Sequence, residues 1–234
     1  QGNVEDWNIG LNNLDSWRKI INQSDIIFHL SGNTSIAAAE RNPENSLNAE
    51  ILPIMNLLNA AKELSKKPRF IYASTATIYG LTQNFPVTED QAPNPITCYD
   101  TNKLSAEKQL KIARSENLIE SVSLRLANVY GPSNSESSSL DRGILSKIAR
   151  QGFENKSIKI YGSGNYIRDY VYIDDVVKAF LYASVFDYNA IKKDSEIIFN
   201  VASGVGTSIK NVFGLITNEI EKITGFNIEI ENVS

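Results

Sequence analysis

A tyrosine and a lysine four residues apart stand in the segment Tyr99-Asp100-Thr101-Asn102-Lys103, at the start of a predicted helix. Residues at i and i+4 share a helical face, so the Lys103 ammonium can sit beside the Tyr99 phenol and favour the phenolate. An unperturbed phenol ionises near ~10, too high for a base at neutral pH, and a neighbouring cation brings it into a useful range. Spacing of this kind arises by chance in many helices, so the pair takes its meaning from its surroundings. Upstream, Ala73-Ser74-Thr75-Ala76-Thr77-Ile78-Tyr79-Gly80 closes an apolar strand and puts hydroxyls at its C-terminal end. A Ser or Thr there could donate to a substrate oxygen that gains negative charge; taken alone, the same segment reads as a turn rich in hydroxyls. Pro86, Pro93 and Pro95 lie in the loop between the two segments.

Composition removes several chemistries. The 234 residues carry 23 Lys+Arg against 27 Asp+Glu, a net charge of −4. That balance lacks the broad cationic field that nucleic acid or an anionic membrane surface requires, so a negative ligand must be met locally. One cysteine, Cys98, precludes an internal disulfide, and with one histidine, His29, no zinc site of the usual Cys/His kind can be assembled. We expect no metal. No apolar run approaches the ~18 residues of a membrane span and no signal-peptide pattern opens the chain, which predicts a soluble, cytoplasmic protein with no membrane partner. The 13 glycines nowhere form G-x-G-x-x-G. Gly162-x-Gly164 and Gly204-x-Gly206 are half-matches that read as turns.

The elements that must position the chemical residues alternate. Asp25 to Ser31 is a strand-like apolar run, and about 45–64 reads as a helix with Pro53 predicting a kink or a late start. Arg69 to Ser74 is a second strand, about 98–117 a second long helix, and Ile119 to Arg125 a third strand. This β-α-β-α-β order predicts an α/β fold with a doubly wound, mostly parallel sheet that presents ligand sites at strand C-termini. Beyond a polar, serine-rich loop come a helix to about 152, a strand at 157–161, a helix capped by Asp174 or Asp175 and running to about 187, a strand at 196–201, a helix near 208–224 and an edge strand at 227–230. His29 reads as a packed, hydrogen-bonded core residue and Cys98 as a small packing residue.

With those elements in order, the chain resembles the extended short-chain dehydrogenase/reductase superfamily, in particular its NAD-dependent nucleotide-sugar epimerases and dehydratases. Gly2-Asn3-Val4-Glu5-Asp6 resembles the family's adenine-facing Gly-Asp-Ile-Arg-Asp, and Asp25 to Gly32 its D-x-V-x-H-x-A-(A/G) strand. Asn56 to Ala61 is similar to N-L-L-x-A-A, and Leu124 to Pro132 to L-R-x-x-N-V-Y-G-P. Ile160 to Gly164, Arg168 to Asp175 and Phe199 to Gly204 complete a series of ordered matches that together are far more specific than any one.

The resemblance implies a Rossmann-like fold with NAD as cofactor, with NADP left open, and roles for particular residues. Tyr99 would be the acid/base, Lys103 would lower its pKa and bind the nicotinamide ribose, and Thr75 would bond the reacting sugar oxygen. Asn3, Val4, Leu30, Ser31, Gly32 and Ser74 would line the cofactor. Asn128 would touch substrate, Tyr161 would flank the nucleotide base, and Arg168 would pair with the diphosphate, which fits the bidentate match between guanidinium and phosphate oxygens. Residues 1–130 would form a partial cofactor-binding domain and 131–234 a substrate lobe interleaved with its last elements. The family's sugar 4,6-dehydratases carry Thr-Asp-Glu where this chain has Thr75-Ala76-Thr77, so the wording is most like the UDP-hexose 4-epimerases.

Two departures matter. Asn3 replaces an adenine-facing Asp, and Glu50 falls by spacing where the family has a cofactor-facing Asn, with Asn48 two places away, so neither Glu50 nor Asn48 receives a role. The missing glycine fingerprint predicts a first strand, glycine loop and helix about 50 residues before Gln1, in a fragment that is also short at its C-terminus. The substrate is expected to be a nucleotide sugar, the complete protein a homodimer. A nucleotide-sugar 4-ketoreductase, or a non-catalytic protein with a degenerate cofactor site, stays open as an alternative.

Overall fold

The period-two alternation of Ile26-Ile27-Phe28-His29 places Ile27 and His29 on one face of a strand and Ile26 and Phe28 on the other, and packing follows that division. In the computed structural model, which describes residues 4–32, 35–132, 143–188, 191 and 197–233, Ile27 joins a core cluster with Trp17, Ile21, Ile54, Leu57 and Phe70. Phe28 turns the other way and meets Phe180 edge-on, ring centroids 6.1 Å apart. Helices therefore cover both faces of one sheet.

Strands β1 (Ile26–His29), β2 (Arg69–Thr75), β3 (Glu120–Leu126) and β7 (Ile198–Val201) form that sheet in the order β1-β2-β3-β7. β1 and β2 run parallel, with His29 opposite Tyr72. Helices α1 (Leu14–Gln23), α2 (Ile36–Arg41), α3 (Pro43–Glu50), α4 (Leu52–Glu63) and α5 (Cys98–Ser115) surround them, so β1 reaches β2 and β2 reaches β3 through helical crossovers, as expected of the doubly wound class. The predicted helix at 45–64 is two helices sharing Ile51. That residue keeps helical angles (φ −96°, ψ −43°), but Pro53 has no N–H to continue the ladder and settles into the first turn of α4, where none is needed. α1 escaped the sequence reading. It is stabilised by the Asn13 side chain, which accepts from Asp15 N at 2.8 Å, and by Trp17 and Ile21, four residues apart and both buried.

The chain divides into two compact units, 1–125 with 180–200 and 126–179 with 201–234. In the second, β4 (Asn128–Tyr130) pairs in parallel with β6 (Ile167–Tyr172), which pairs antiparallel with β8 (Gly206–Ser208). β5 (Ile158–Tyr161) pairs with β9 (Ile230–Val233), and α6 (Ile144–Phe153) and α8 (Ile209–Thr224) share a core of Ile148, Ile158, Ile160, Phe213 and Ile220 with that ribbon. The edge strand expected at 227–230 starts three residues later. α7 (Ile173–Val185) holds Asp174 and Asp175 inside its first turn rather than at its cap, where carboxylates still complement the exposed N–H groups. The serine-rich loop at 133–142 lies outside the described residues. No helix among the described residues is long and apolar enough to cross a membrane.

Candidate active site

Two strands end at the candidate site, and the start of one helix faces them. β2 delivers Ser74 and Thr75 and then tightens into a 3-10 turn at Ala76–Tyr79, whose entry is capped by Thr75 itself: Thr77 N donates to Thr75 Oγ1 at 3.2 Å. α5 begins at Cys98 because Thr97 Oγ1 accepts from Asp100 N at 3.1 Å and Glu40 Oε1 accepts from Cys98 N at 2.7 Å. These two acceptors satisfy N–H groups that a helix start leaves open. They also fix the first turn, which carries Tyr99.

The two elements are stitched together by hydroxyls. Thr77 Oγ1 donates to Asp100 Oδ1 at 2.5 Å, and Thr75 Oγ1 lies 2.9 Å from Thr77 Oγ1. The Thr75 side chain is the neighbour that favours the ionised form of Tyr99. Thr77 gives its one proton to Asp100, and the Thr75 hydroxyl stands next in line toward the phenol. A row of hydroxyls thus runs from Tyr99 to a carboxylate that is 1% exposed.

Lys103 lies on the same helical face as Tyr99, its Nζ 5.9 Å from the phenol ring centroid and 4.9 Å from that of Tyr72. Its ammonium is engaged elsewhere: it donates to Ala73 O at 3.1 Å and pairs with Glu50 Oε2 at 2.9 Å. Burial pushes the Tyr99 phenol well up, and the carboxylates of Glu50 and Asp100 push it further in the same direction, while the Thr75 side chain opposes them. The pair is assembled as the spacing predicts, but in the structure Lys103 spends its charge on Glu50.

Ser74 also differs from expectation. Its hydroxyl donates to Glu107 Oε1 at 2.5 Å, inside a network in which Arg125 forks onto Glu107 (3.1 and 2.7 Å) and donates to Tyr79 Oη at 2.8 Å. The expected cofactor contact of this side chain is corrected to an internal one, because Glu107 and Arg125 are both about 1% exposed and a buried ion pair needs its remaining oxygens satisfied. His29 is packed as expected, stacked on Phe70 and Tyr72 and tilted against Trp17. Its Nε2, however, has no hydrogen-bond partner, and burial with the nearby Lys103 charge lowers its pKa to about 4.

At the end of β1, Leu30 is 64% exposed, and Ser31 and Gly32 are exposed as well. Gly32 has φ +145°, and a Cβ there would lie 2.5 Å from Glu50 Oε1. Glycine is thus required by the close carboxylate, and the backbone at this strand end stays uncovered. An open backbone edge next to a lysine fits the ribose and phosphate groups of a dinucleotide. Val4 is 94% exposed, and Asn3 lies outside the described residues.

The second unit carries the other expected residues. Asn128 Nδ2 donates to Asp169 O at 2.9 Å across the β4–β6 pair, beside Arg168. Asp169 in turn accepts from Ser203 N, Ser203 Oγ and Gly204 N at 2.7–2.9 Å. Arg168 is exposed, with Nη1 on Ile167 O at 2.8 Å. Tyr161, on the separate β5–β9 ribbon, is 71% exposed. Glu50, Tyr72, Asp100 and Asp169 went unassigned in the sequence. Only Glu50 announced itself, as a departure from the family pattern.

A doubly wound sheet with Thr75, Tyr99 and Lys103 gathered at one strand end defines a Rossmann-like protein of the short-chain dehydrogenase/reductase kind. The chain belongs to the NAD dependent epimerase/dehydratase family, which it matches over residues 5–202. A putative UDP-glucose 4-epimerase of Methanocaldococcus jannaschii is 28% identical over 84% of this chain and 61% of its own length. The crystal structure of a UDP-glucose 4-epimerase with UDP-glucose from Thermotoga maritima is similar with a TM-score of 0.82 and 28% identity, over 97% of this chain and 71% of that one. A UDP-glucuronic acid 4-epimerase from Bacillus cereus, in complex with UDP-glucuronic acid and NAD, gives a TM-score of 0.77 and 25% identity, over 97% and 67%. The chain spans 36–64% of the length of curated relatives it matches.

Proposed function

We propose that the protein is an NAD-dependent nucleotide-sugar epimerase that inverts C4 of a UDP-hexose through a 4-keto sugar. The observation that carries this reading is the gathering of Thr75, Tyr99 and Lys103 at the end of β2, with Lys103 Nζ 5.9 Å from the Tyr99 ring on the same helical face. Bound NAD would supply the hydride chemistry, taking a hydride from C4 and returning it to the other face. Tyr99 takes the 4-hydroxyl proton and later gives it back, so that one group serves both half-reactions. Thr75 holds the reacting oxygen, and Lys103 and the exposed edge of Leu30, Ser31 and Gly32 hold the cofactor. In the second unit, Asn128 contacts the sugar, Tyr161 the base and Arg168 the diphosphate.

Ala76 and Thr77 favour epimerisation over dehydration. Neither carries the carboxyl that water elimination would use, and the Thr77 hydroxyl is committed to Asp100. The similarity to 4-epimerases of UDP-sugars supports the same substrate class. We further propose that the protein works in the cytoplasm as a homodimer.

Incubation of the complete protein, with whatever sequence flanks these 234 residues, with UDP-glucose and NAD, followed by NMR, tests the reading. The expected result is conversion to UDP-galactose with no net change in reduced cofactor. Absence of conversion, or stoichiometric oxidation of NADH or NADPH with a 4-keto sugar nucleotide, would overturn it; the second outcome would identify a ketoreductase.

A further inference from the structure

Glu50 is fully buried, and nothing in the proposed chemistry uses it. It sits at the C-terminal end of α3, on the interior side of the loop that follows β1, where only a glycine at position 32 leaves it room. Its Oε2 is 2.9 Å from Lys103 Nζ and 3.5 Å from Tyr72 Oη. Lys103 is itself 6% exposed in its side chain, so the pair is shielded from solvent on both sides. A charge pair in such surroundings is not screened by water or salt, and its geometry is held firmly.

The titratable and charged groups around this pair come from four elements. His29 faces it from β1, Tyr72 from β2, Glu50 itself from α3, and Tyr99, Asp100 and Glu107 from α5. Lys103 pairs with Glu50, while Glu107 is paired with Arg125 of β3. The Lys103 Nζ lies closer to Tyr72 than to Tyr99, which is the direction in which the Glu50 contact holds it.

We propose that Glu50 is a positioning residue that clamps Lys103 and takes up its charge, so that Lys103 acts less on the Tyr99 acid/base group than an unpaired lysine would. The inference rests on the epimerase reading for its consequence in turnover, but not for its measurement. Burial and the Glu50 carboxylate both push the Tyr99 phenol up, in keeping with this role. A glutamine at position 50 would keep the shape and an acceptor for Lys103 while removing the opposing charge.

Ultraviolet titration of the full chain as purified, with the signal of the Tyr99→Phe variant subtracted, reads the Tyr99 phenol and needs no substrate. In Glu50→Gln the Tyr99 phenolate should appear at a pH lower by roughly one unit or more, the usual effect of one nearby charge. The pH profile of UDP-hexose interconversion should shift by the same amount, raising the rate at the acid end about tenfold. Glu50→Asp, which keeps the charge, should restore most of the wild-type position. Superimposable titrations of wild type and Glu50→Gln would overturn the proposal, as would a loss of rate with the profile unmoved, the mark of a purely structural role. A shifted titration in a protein without epimerase activity would uphold the clamp and remove the epimerase reading. Should Glu50→Gln fail to fold, the pair Glu50→Asp and Glu50→Asn decides: the Asn variant must titrate at the lower pH, and coincident titrations overturn the proposal.

Discussion

At the end of β2 the polar side chains are tied to one another and hidden from water, whereas around β4 and β6 they are exposed and tied largely to backbone. Glu50 and Lys103 pair at 2.9 Å, and Glu107 and Arg125 at 2.7 Å, all nearly inaccessible. Asn128 and Arg168, by contrast, are open to solvent and anchored on the carbonyls of Asp169 and Ile167. A proton-transfer group gains from neighbours that cannot rearrange during reaction, because their orientation is settled in advance by folding. A residue that recognises a charged, soluble ligand gains from meeting it at a surface, where neither partner bears a large desolvation cost beforehand. On the proposed reading the first region carries the proton transfer and the second meets the ligand, and substitutions should separate the two.

The largest effect should come from Tyr99→Phe. Removing the one hydroxyl that can carry the proton is expected to lower kcat by ~10²–10⁴-fold. Because the lost hydroxyl belongs to a half-buried ring, thermal unfolding should move little. Rate measurements beside a melting curve check both halves; a variant that retains wild-type kcat would break the assignment of chemistry to this region. Next comes Arg125→Met, which strands Glu107 in the interior. Losing one partner of a buried pair costs about 3–5 kcal/mol, read as a lower denaturant midpoint. The double variant Arg125→Met/Glu107→Leu should recover most of that loss, because it leaves no uncompensated charge behind.

Legibility in the sequence followed the same division. The β-α-β-α-β order and the Tyr99–Lys103 pair could be read from local periodicity, because both depend on residues a few positions apart. The Pro53 break was visible as a break, though its form as two helices sharing Ile51 was not. α1 was legible too, since Leu14, Trp17 and Ile21 recur at helical spacing behind the Asn13 cap, with Ile20 beside them. What sequence could not reveal was the partner of each buried charge. Glu50 finds Lys103 fifty-three positions away and Arg125 finds Glu107 eighteen away. Those pairings depend on which helix crosses which strand. Ser74 illustrates the point: a hydroxyl at a strand end resembles a ligand contact until the fold places a carboxylate behind it.

His29 extends the comparison to pH. Its imidazole is neutral in the folded core, with a pKa lowered to about 4 by burial and by Lys103, while the unfolded chain takes up a proton near ~6.5. The unfolded state thus binds more protons below that value, and stability falls as pH drops from about 6.5 toward 4, at up to ~1.4 kcal/mol per unit and about 3 kcal/mol in all. Above about 6.5 this contribution is complete and flat. Chemical denaturation at several pH values should show the slope in wild type and a weaker one in His29→Leu; equal slopes would assign the acid sensitivity to other groups.

Arg168→Met should give the smallest change and the most informative contrast. The side chain is exposed and its one intramolecular bond is to the carbonyl of its own neighbour, so folding stability should hardly respond. If the guanidinium meets the diphosphate, it binds ground state and transition state alike, since neither phosphate takes part in the reaction at C4. Loss of such uniform binding raises KM and leaves kcat alone. An increase of about tenfold in KM corresponds to ~1.4 kcal/mol, a reasonable share for one charge-assisted contact at a solvent-exposed site. Arg168→Lys should fall between wild type and Arg168→Met, because an ammonium keeps the charge but not the two parallel N–H bonds. The inhibition constant for UDP alone should rise in step with KM, because UDP carries the same diphosphate. A drop in kcat at constant KM would instead place Arg168 with the buried chemistry of the first unit and erase the division between the two regions.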